Sequence, residues 1–196
     1  MDTAVHDRVP GTPRPDGAAA IDFRGDHFAL FGLPRRFDLD TEALSQAWRR
    51  TQALVHPDRF AGAGAAQARL AMQWSTLVNT AYRTLLDPLS RAAYLCELRG
   101  VPIDAERNTA MPREFLDQQM QWREQLDEAR DSGDAGQLQQ LARQVEQHRA
   151  GLLLELARLL DSEPADAAAA RQAACEVRVL MFLDKFRRDL GPRATH

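Results

Sequence analysis

Apolar residues recur at steps of three and four along most of this chain, which is the spacing that predicts amphipathic helices. One stripe covers residues 44–55 and a second covers residues 70–85. Asp40 or Thr41 can cap the first of these helices. Pro57 ends it, because the residue before a proline is disfavoured in helical geometry. The two patterns predict two long antiparallel helices joined by a loop.

Short elements flank this hairpin. Residues 28–33 form an apolar cluster that is too short for more than one or two helical turns. Pro88 suits the first turn of a second short helix, which closes at Gly100. These elements together predict one small helical domain.

Three longer helical patterns follow, over residues 112–131, 134–160 and 163–190. The breaks between them are short, which favours an antiparallel three-helix bundle. No strand pattern is evident, so the predicted fold is all-α with two domains. The predicted divisions are a disordered tail (1–25), the first domain (26–100), a linker (101–111), the bundle (112–190) and a short tail (191–196).

Two apolar faces on the last helix predict a packed contact between the domains. The main face is formed by Ala170, Val177 and Met181, and the second face by Val179, Phe182, Phe186 and Leu190. Because the linker is short, we expect part of the second face to cover the final helix of the first domain near Tyr94 and Leu98.

Composition excludes several classes of protein. The formal net charge is −3, which argues against broad nucleic-acid binding, because phosphate contacts need a basic surface. No apolar run approaches the length that spans a bilayer. The first 24 residues contain acids and prolines but no hydrophobic stretch. We therefore expect no leader and a cytoplasmic location.

The two cysteines, Cys96 and Cys175, are isolated from each other and from any Cys-x-x-Cys pair. This pattern predicts neither a zinc site nor a disulfide framework. Buried, reduced thiols are the simpler interpretation. We expect the chain itself to bind no metal, cluster, nucleotide or other cofactor.

The most informative segment is His56-Pro57-Asp58, between the two long helices. By itself such a tripeptide is typical of a turn, since proline fixes φ and aspartate caps its own backbone. An enzymatic interpretation, with His56 as a base oriented by Asp58, needs a nucleophile or a metal partner, and the neighbouring sequence offers neither. The tripeptide follows a helix that bears Arg49 and Arg50 and precedes a second long helix. That arrangement resembles the J-domain, whose His-Pro-Asp loop is its functional signature.

The resemblance is closer still to the HscB family of J-domain co-chaperones, and it covers about residues 26–190. The matching segments are residues 26–34, 37–40 and 88–95 in the first domain, and Phe115-Leu116, Arg123-Glu124, 126–128 and 182–185 in the second. HscB proteins bring an iron–sulfur scaffold protein of the IscU type to an HscA-type chaperone ATPase and stimulate its ATP hydrolysis. The resemblance implies the same role here.

The resemblance also implies which residues bind the chaperone: His56, Pro57, Asp58, Arg49, Arg50 and Arg59. Asp58 would make a charge-assisted contact with an arginine of the chaperone, in a loop held by the two residues before it. The arginines would supply complementary charge, which steers encounter more than it adds affinity. A solvated helix face is the plain alternative for each arginine.

A second candidate surface lies on the helix from residue 112. One narrow face, predicted to be the bundle core, carries Phe115, Trp122, Leu126 and Ala129. A separate stripe recurs at steps of four, apolar at its start and acidic at its end: Leu116, Met120, Glu124 and Glu128. By geometry alone, contact with the first domain or plain surface exposure explains this stripe better than binding does.

The family resemblance changes this interpretation, because HscB proteins bind the IscU-type scaffold on the matching surface. The residues it implies here are Leu116, Asp117, Met120, Gln121, Glu124, Glu128 and Phe182. Asp117 and Gln121 depart from the apolar and acidic character of the matching family positions, so the edge of the surface differs from the family pattern here.

The sequence therefore predicts a non-enzymatic, scaffold-specific co-chaperone, and two alternatives stay open. A purely structural helical adaptor would have no effect on ATP hydrolysis, and the intact His-Pro-Asp triplet disfavours it. A general J-protein would deliver unfolded clients to a DnaK-type chaperone. The sequence lacks the Gly/Phe-rich linker and the cysteine zinc module that would favour that class.

Overall fold

The computed structural model describes residues 23–60, 62, 64–104, 111–162 and 166–191, and all regular structure in these ranges is helical. The helices are α1 (His27–Phe31), α2 (Thr41–Val55), α3 (Ala65–Leu86), α4 (Pro88–Leu98), α5 (Arg113–Ser132), α6 (Ala135–Leu160) and α7 (Ala167–Leu190), with a 3₁₀ turn over Pro57–Phe60. The all-α prediction is confirmed. The domain boundaries stay a prediction, since residues 105–110 of the expected linker lie outside the described ranges.

Aspartate side chains fix where most of these helices begin. The N-cap residues whose carboxylates accept backbone N–H bonds are Asp26, Asp40, Asp87, Asp134 and Asp166. Such a cap satisfies amides that have no partner in the first helical turn. Of the two residues that could cap α2, Asp40 and Thr41, the N-cap is Asp40. The last helix begins at Ala167 and not at residue 163, because Asp166 takes an extended N-cap conformation.

The hairpin of α2 and α3 forms as predicted, and α1 and α4 lie against α3. Leu44 and Val78 are fully buried between the long helices. Trp48 stacks on Tyr82 with ring centroids 4.7 Å apart, and its indole N–H donates to Asn79 Oδ1 at 3.1 Å. This hairpin fixes the two helix ends between which the His-Pro-Asp turn is held.

The predicted tails fall mostly outside the described part of the chain, which omits residues 1–22 and 192–196. Phe23 is an exception, because its ring stacks on Trp74 of α3 with centroids 4.8 Å apart. The ordered structure therefore begins before residue 26, where the sequence prediction placed its start.

A three-helix bundle of α5, α6 and α7 forms around aromatic side chains. Arg130, near the end of α5, donates to the Asp189 carbonyl near the end of α7, so these two helices run parallel and α6 runs against them. Phe115 packs edge-to-face on Phe182 at 5.4 Å between centroids. Met181, predicted on the buried face of α7, is 39% exposed. A helical stripe is buried only where a neighbouring helix lies over it.

The N-terminal helices pack on the bundle, with α4 against α7 and α6. Arg99, the C-cap of α4, donates to the carbonyl of Leu159 at 3.1 Å and to that of Leu160, at the C-terminal end of α6. The expected contact between the two regions is therefore present. Two residues of the predicted second face pack on α5: Phe182 lies edge-to-face on Phe115, and Phe186 stacks on Trp122.

Asp161 supplies a second polar contact across the same interface. Its carboxylate accepts hydrogen bonds from the backbone N–H of Phe37 at 2.6 Å and of Asp38 at 2.9 Å. Beneath it the buried Arg91 guanidinium lies 5.1 Å from the Phe37 ring centroid and donates to the Leu85 carbonyl at 2.7 Å. We call the backbone contacts made by Asp161 and Arg99 the interdomain clasp.

Candidate functional site

The His-Pro-Asp segment forms a compact turn at the end of α2. His56 is the C-cap of α2, and the Arg59 N–H donates to the His56 carbonyl at 3.0 Å, which closes the 3₁₀ turn. The Arg59 guanidinium donates to the Ala53 carbonyl at 3.1 Å, one of the carbonyls that the helix end leaves without an intrahelical partner. The turn is therefore tied to α2 through Arg59.

Asp58 is presented to solvent at the tip of this turn. Its side chain is 90% exposed, and its carboxylate lies 3.5 Å from His56 Nδ1. The Asp58 N–H donates to that same nitrogen at 3.3 Å, a further contact within the turn. A contact of this length at an exposed site stabilises little. The Asp58 carboxylate is thus available to a binding partner.

The predicted arginines occupy different environments around this turn. Arg49 lies 3.8 Å from Glu42 in an exposed pair, and Arg50 is exposed on the same helix. Successive helical residues point about 100° apart, so the two side chains flank the outer face of α2. Arg59, predicted only as a complementary charge, also has a structural contact within the turn. All three arginine side chains nevertheless lie at the surface.

The second candidate surface lies on α5. The predicted core residues of this helix are buried: Phe115, Trp122, Leu126 and Ala129. Leu116 and Met120 are 38% and 60% exposed. These two side chains form a small apolar area at the edge of the bundle, and truncation of the more exposed Met120 removes little buried surface.

The polar members of the predicted surface form a neighbouring stripe on the same helix. Each helical residue is rotated by about 100° from the one before it, so each step of four residues adds a net rotation of about 40° around the helix axis. Glu124 and Glu128 therefore point to a different side of α5 from Leu116. They share a face with Asp117 and Gln121 at the spacing i, i+4, i+7 and i+11, and all four are exposed. An acidic face therefore borders the apolar one.

Phe182 lies on the other side of this apolar area and is only partly exposed. Its ring contacts Phe115 edge-to-face and stacks on Phe186 at 5.8 Å between centroids. The ring packs against the aromatic core, so its truncation would remove buried surface. Sequence reasoning also missed Arg123, whose guanidinium carbon lies 5.7 Å from the Phe182 ring centroid.

The described residues contain no cluster of three or more His, Cys, Asp or Glu side chains that could hold a metal ion. Cys96 is a buried thiol outside any disulfide, and burial raises its pKa to about 11. None of the helices found in the described ranges is long and apolar enough to cross a membrane.

Comparison with protein families places the bundle in a known class. The family model described as the HSCB C-terminal oligomerisation domain matches residues 111–191. A co-chaperone protein HscB homolog from Bordetella petrii is 54% identical over 166 residues, covering 85% of this chain and 94% of the relative. A homolog from Paraburkholderia phymatum is 49% identical over 84% of this chain and 91% of its own length.

Solved structures extend the similarity to both helical regions. The chaperone HscB from Vibrio cholerae superposes with a TM-score of 0.71 at 32% identity, covering 85% of this chain and 95% of that one. The crystal structure of human co-chaperone protein HscB gives a TM-score of 0.78 at 27% identity, over 93% and 92% of the two chains.

Proposed function

Since this chain belongs to the HscB family of co-chaperones, we propose that it binds an IscU-type scaffold protein, delivers it to an HscA-type chaperone and stimulates the chaperone's ATP hydrolysis. Hydrolysis switches the chaperone to its tight-binding state, and the iron–sulfur cluster carried by the scaffold is then released to acceptors. In this proposal the chain is an adaptor, and the chemistry takes place on the chaperone.

The observation that carries the proposal is the exposed Asp58 carboxylate on a turn that is tied to the end of α2. The Arg59 contacts hold the turn against α2, so little conformational freedom is lost when a partner binds. A hydrogen bond between this carboxylate and an arginine of the chaperone contributes about 1.5–3 kcal/mol. Arg49 and Arg50 on α2 steer the encounter with an acidic surface.

Scaffold binding is supported by the exposed side chains of α5. Leu116 and Met120 offer an apolar contact at the edge of the bundle, and an acidic stripe borders it. Interfaces concentrate their binding energy in a few such apolar anchors. The interdomain clasp keeps this surface in one orientation relative to the His-Pro-Asp turn, so the scaffold arrives at the chaperone in a defined position.

Steady-state ATP hydrolysis by the cognate HscA-type chaperone tests the chaperone contact. We expect Asp58→Ala to abolish the stimulation while changing the free energy of unfolding by less than about 0.5 kcal/mol, because the side chain is exposed. Asp131→Ala, at another exposed aspartate, is the matched control and should stimulate normally. Full stimulation by a folded Asp58→Ala variant would contradict the assignment of this turn.

The same assay with added partner protein separates the alternatives. Scaffold-dependent stimulation that Leu116→Ala weakens supports a scaffold-specific co-chaperone. Equal stimulation with an unfolded model protein in place of the scaffold would favour a general J-protein. No stimulation under any condition would favour a structural adaptor.

A further inference from the structure

Arg123 is a charged side chain whose position is not explained by pairing within the bundle. Its guanidinium lies over the Phe182 ring. Asp127 is four residues further along α5, at a spacing where an ion pair commonly forms, yet no carboxylate of the described residues lies within ion-pair distance of Arg123. The side chain is exposed. Its charge is therefore open to a group from outside the molecule.

The helical register places this charge beside the apolar area. At about 100° per residue, Leu116, Met120 and Arg123 fall within about 60° of one another on α5. Arg123 thus lies between these two side chains and Phe182 of α7. The nearest charge to the apolar contact on this side is a cation, whereas Glu124 and Glu128 border it on the opposite side.

A guanidinium held in this way is suited to a carboxylate. It is planar and weakly hydrated, and it can donate two parallel hydrogen bonds to the two oxygens of one carboxylate. Contact with the face of an aromatic ring leaves the edge of the guanidinium free for those bonds. The ring also limits the motion of the side chain, so less entropy is lost on binding.

We propose that Arg123, held over Phe182, is a specificity-determining residue that binds a carboxylate of the protein docking on Leu116 and Met120. This inference rests on the proposed function, in which that protein is the IscU-type scaffold. The matching scaffold surface then carries an apolar anchor, an acid on the side facing Arg123, and a base on the side facing Glu124 and Glu128. Because the charges on the two sides of the apolar anchor are opposite in sign, they fix the orientation in which the scaffold binds.

Calorimetric titration of the full chain with purified IscU-type scaffold, over a series of salt concentrations, tests this inference. We expect Arg123→Gln to weaken binding on the order of tenfold at low salt, because a hydrogen bond to a charged group is lost. Its affinity should also depend less steeply on salt. Arg123→Met keeps an apolar cover on Phe182 without the charge and should match Arg123→Gln. Arg123→Lys should be intermediate, since it keeps the charge but loses the paired hydrogen bonds.

Control variants distinguish failure of this inference from failure of the proposed function. Arg143→Gln, at an exposed arginine of α6, should bind as the unaltered chain does. If Leu116→Ala weakens binding while Arg123→Gln leaves affinity and salt dependence unchanged, the role of Arg123 is wrong and the binding surface stands. Unaltered affinity of Arg123→Met would show that Arg123 only covers the ring. Unaltered affinity of both Leu116→Ala and Arg123→Gln would overturn the proposed scaffold surface itself.

Discussion

Replacement of Asp161 by alanine is the most direct way to weaken the interdomain clasp. The carboxylate side chain is only 10% exposed and accepts two backbone N–H bonds from the opposite region, at 2.6 and 2.9 Å. A hydrogen bond to a charged group contributes about 1.5–3 kcal/mol. The exposed Asp38 amide can be hydrated in the variant, whereas the Phe37 amide lies at a partly buried position. We therefore expect a loss of about 2–3 kcal/mol.

Urea unfolding and thermal melting measure this loss. For a chain of this size, about 1 kcal/mol corresponds to roughly 2–4 °C in Tm, so Asp161→Ala should melt about 4–12 °C lower. Asp161→Asn keeps one acceptor oxygen and should lose about half as much free energy. Asp131→Ala is the control for removal of an exposed aspartate and should change stability by less than about 0.5 kcal/mol. A free energy of unfolding for Asp161→Ala within that same margin of the unaltered chain would refute the reasoning.

Three further outcomes follow from burial and charge. Met120→Ala should change the free energy of unfolding by less than about 0.5 kcal/mol, because its side chain is 60% exposed. Phe182→Ala should cost about 2 kcal/mol, because its ring packs against the aromatic core; urea titrations compare the two. Cys96, whose buried thiol has a pKa of about 11, should react with a disulfide reagent at pH 8 only after unfolding. Burial works to raise the pKa of Asp26, but backbone amides and Arg35 outweigh it and hold that pKa below its ordinary value. This carboxylate therefore stabilises the fold above about pH 4 and loses that effect as the pH falls further. In the Asp26→Asn variant, Tm should decrease less between about pH 4 and lower pH values, as measured by thermal melting at a series of pH values.

Local signals in the sequence predicted the helices well, because helix formation depends on near neighbours. The stripes of α2 and α3, the cap at Asp40 and the stop at Pro57 all act within a few residues of one another. The predicted start of α7 at residue 163 was too early, although Pro164 disfavours helical geometry at the residue before it. Only Asp166, as the N-cap, identifies where that helix begins.

Contacts between distant residues were beyond such reasoning. The partners in the Asp161 clasp contacts are 123 and 124 positions apart, and no periodicity links them. The burial of Phe182 and the exposure of Met181 depend on which helices lie beside α7. Arg123 was overlooked for a related reason, since a stripe drawn at steps of four leaves out the i+7 position that shares a face with Leu116 in a straight helix.

In the interdomain clasp, side chains on one side bind backbone groups on the other, and this affects how the sequence can vary. Arg99 donates hydrogen bonds to backbone carbonyl groups, and Asp161 accepts them from backbone amides. These backbone groups are present whatever side chain a position carries. Substitutions at the exposed Asp38 can therefore accumulate without removing the backbone group that the clasp uses there. Proline is the exception, because it has no backbone N–H to donate. Asp38→Ala should leave the Asp161 contact in place, and Asp38→Pro should remove one of its two hydrogen bonds.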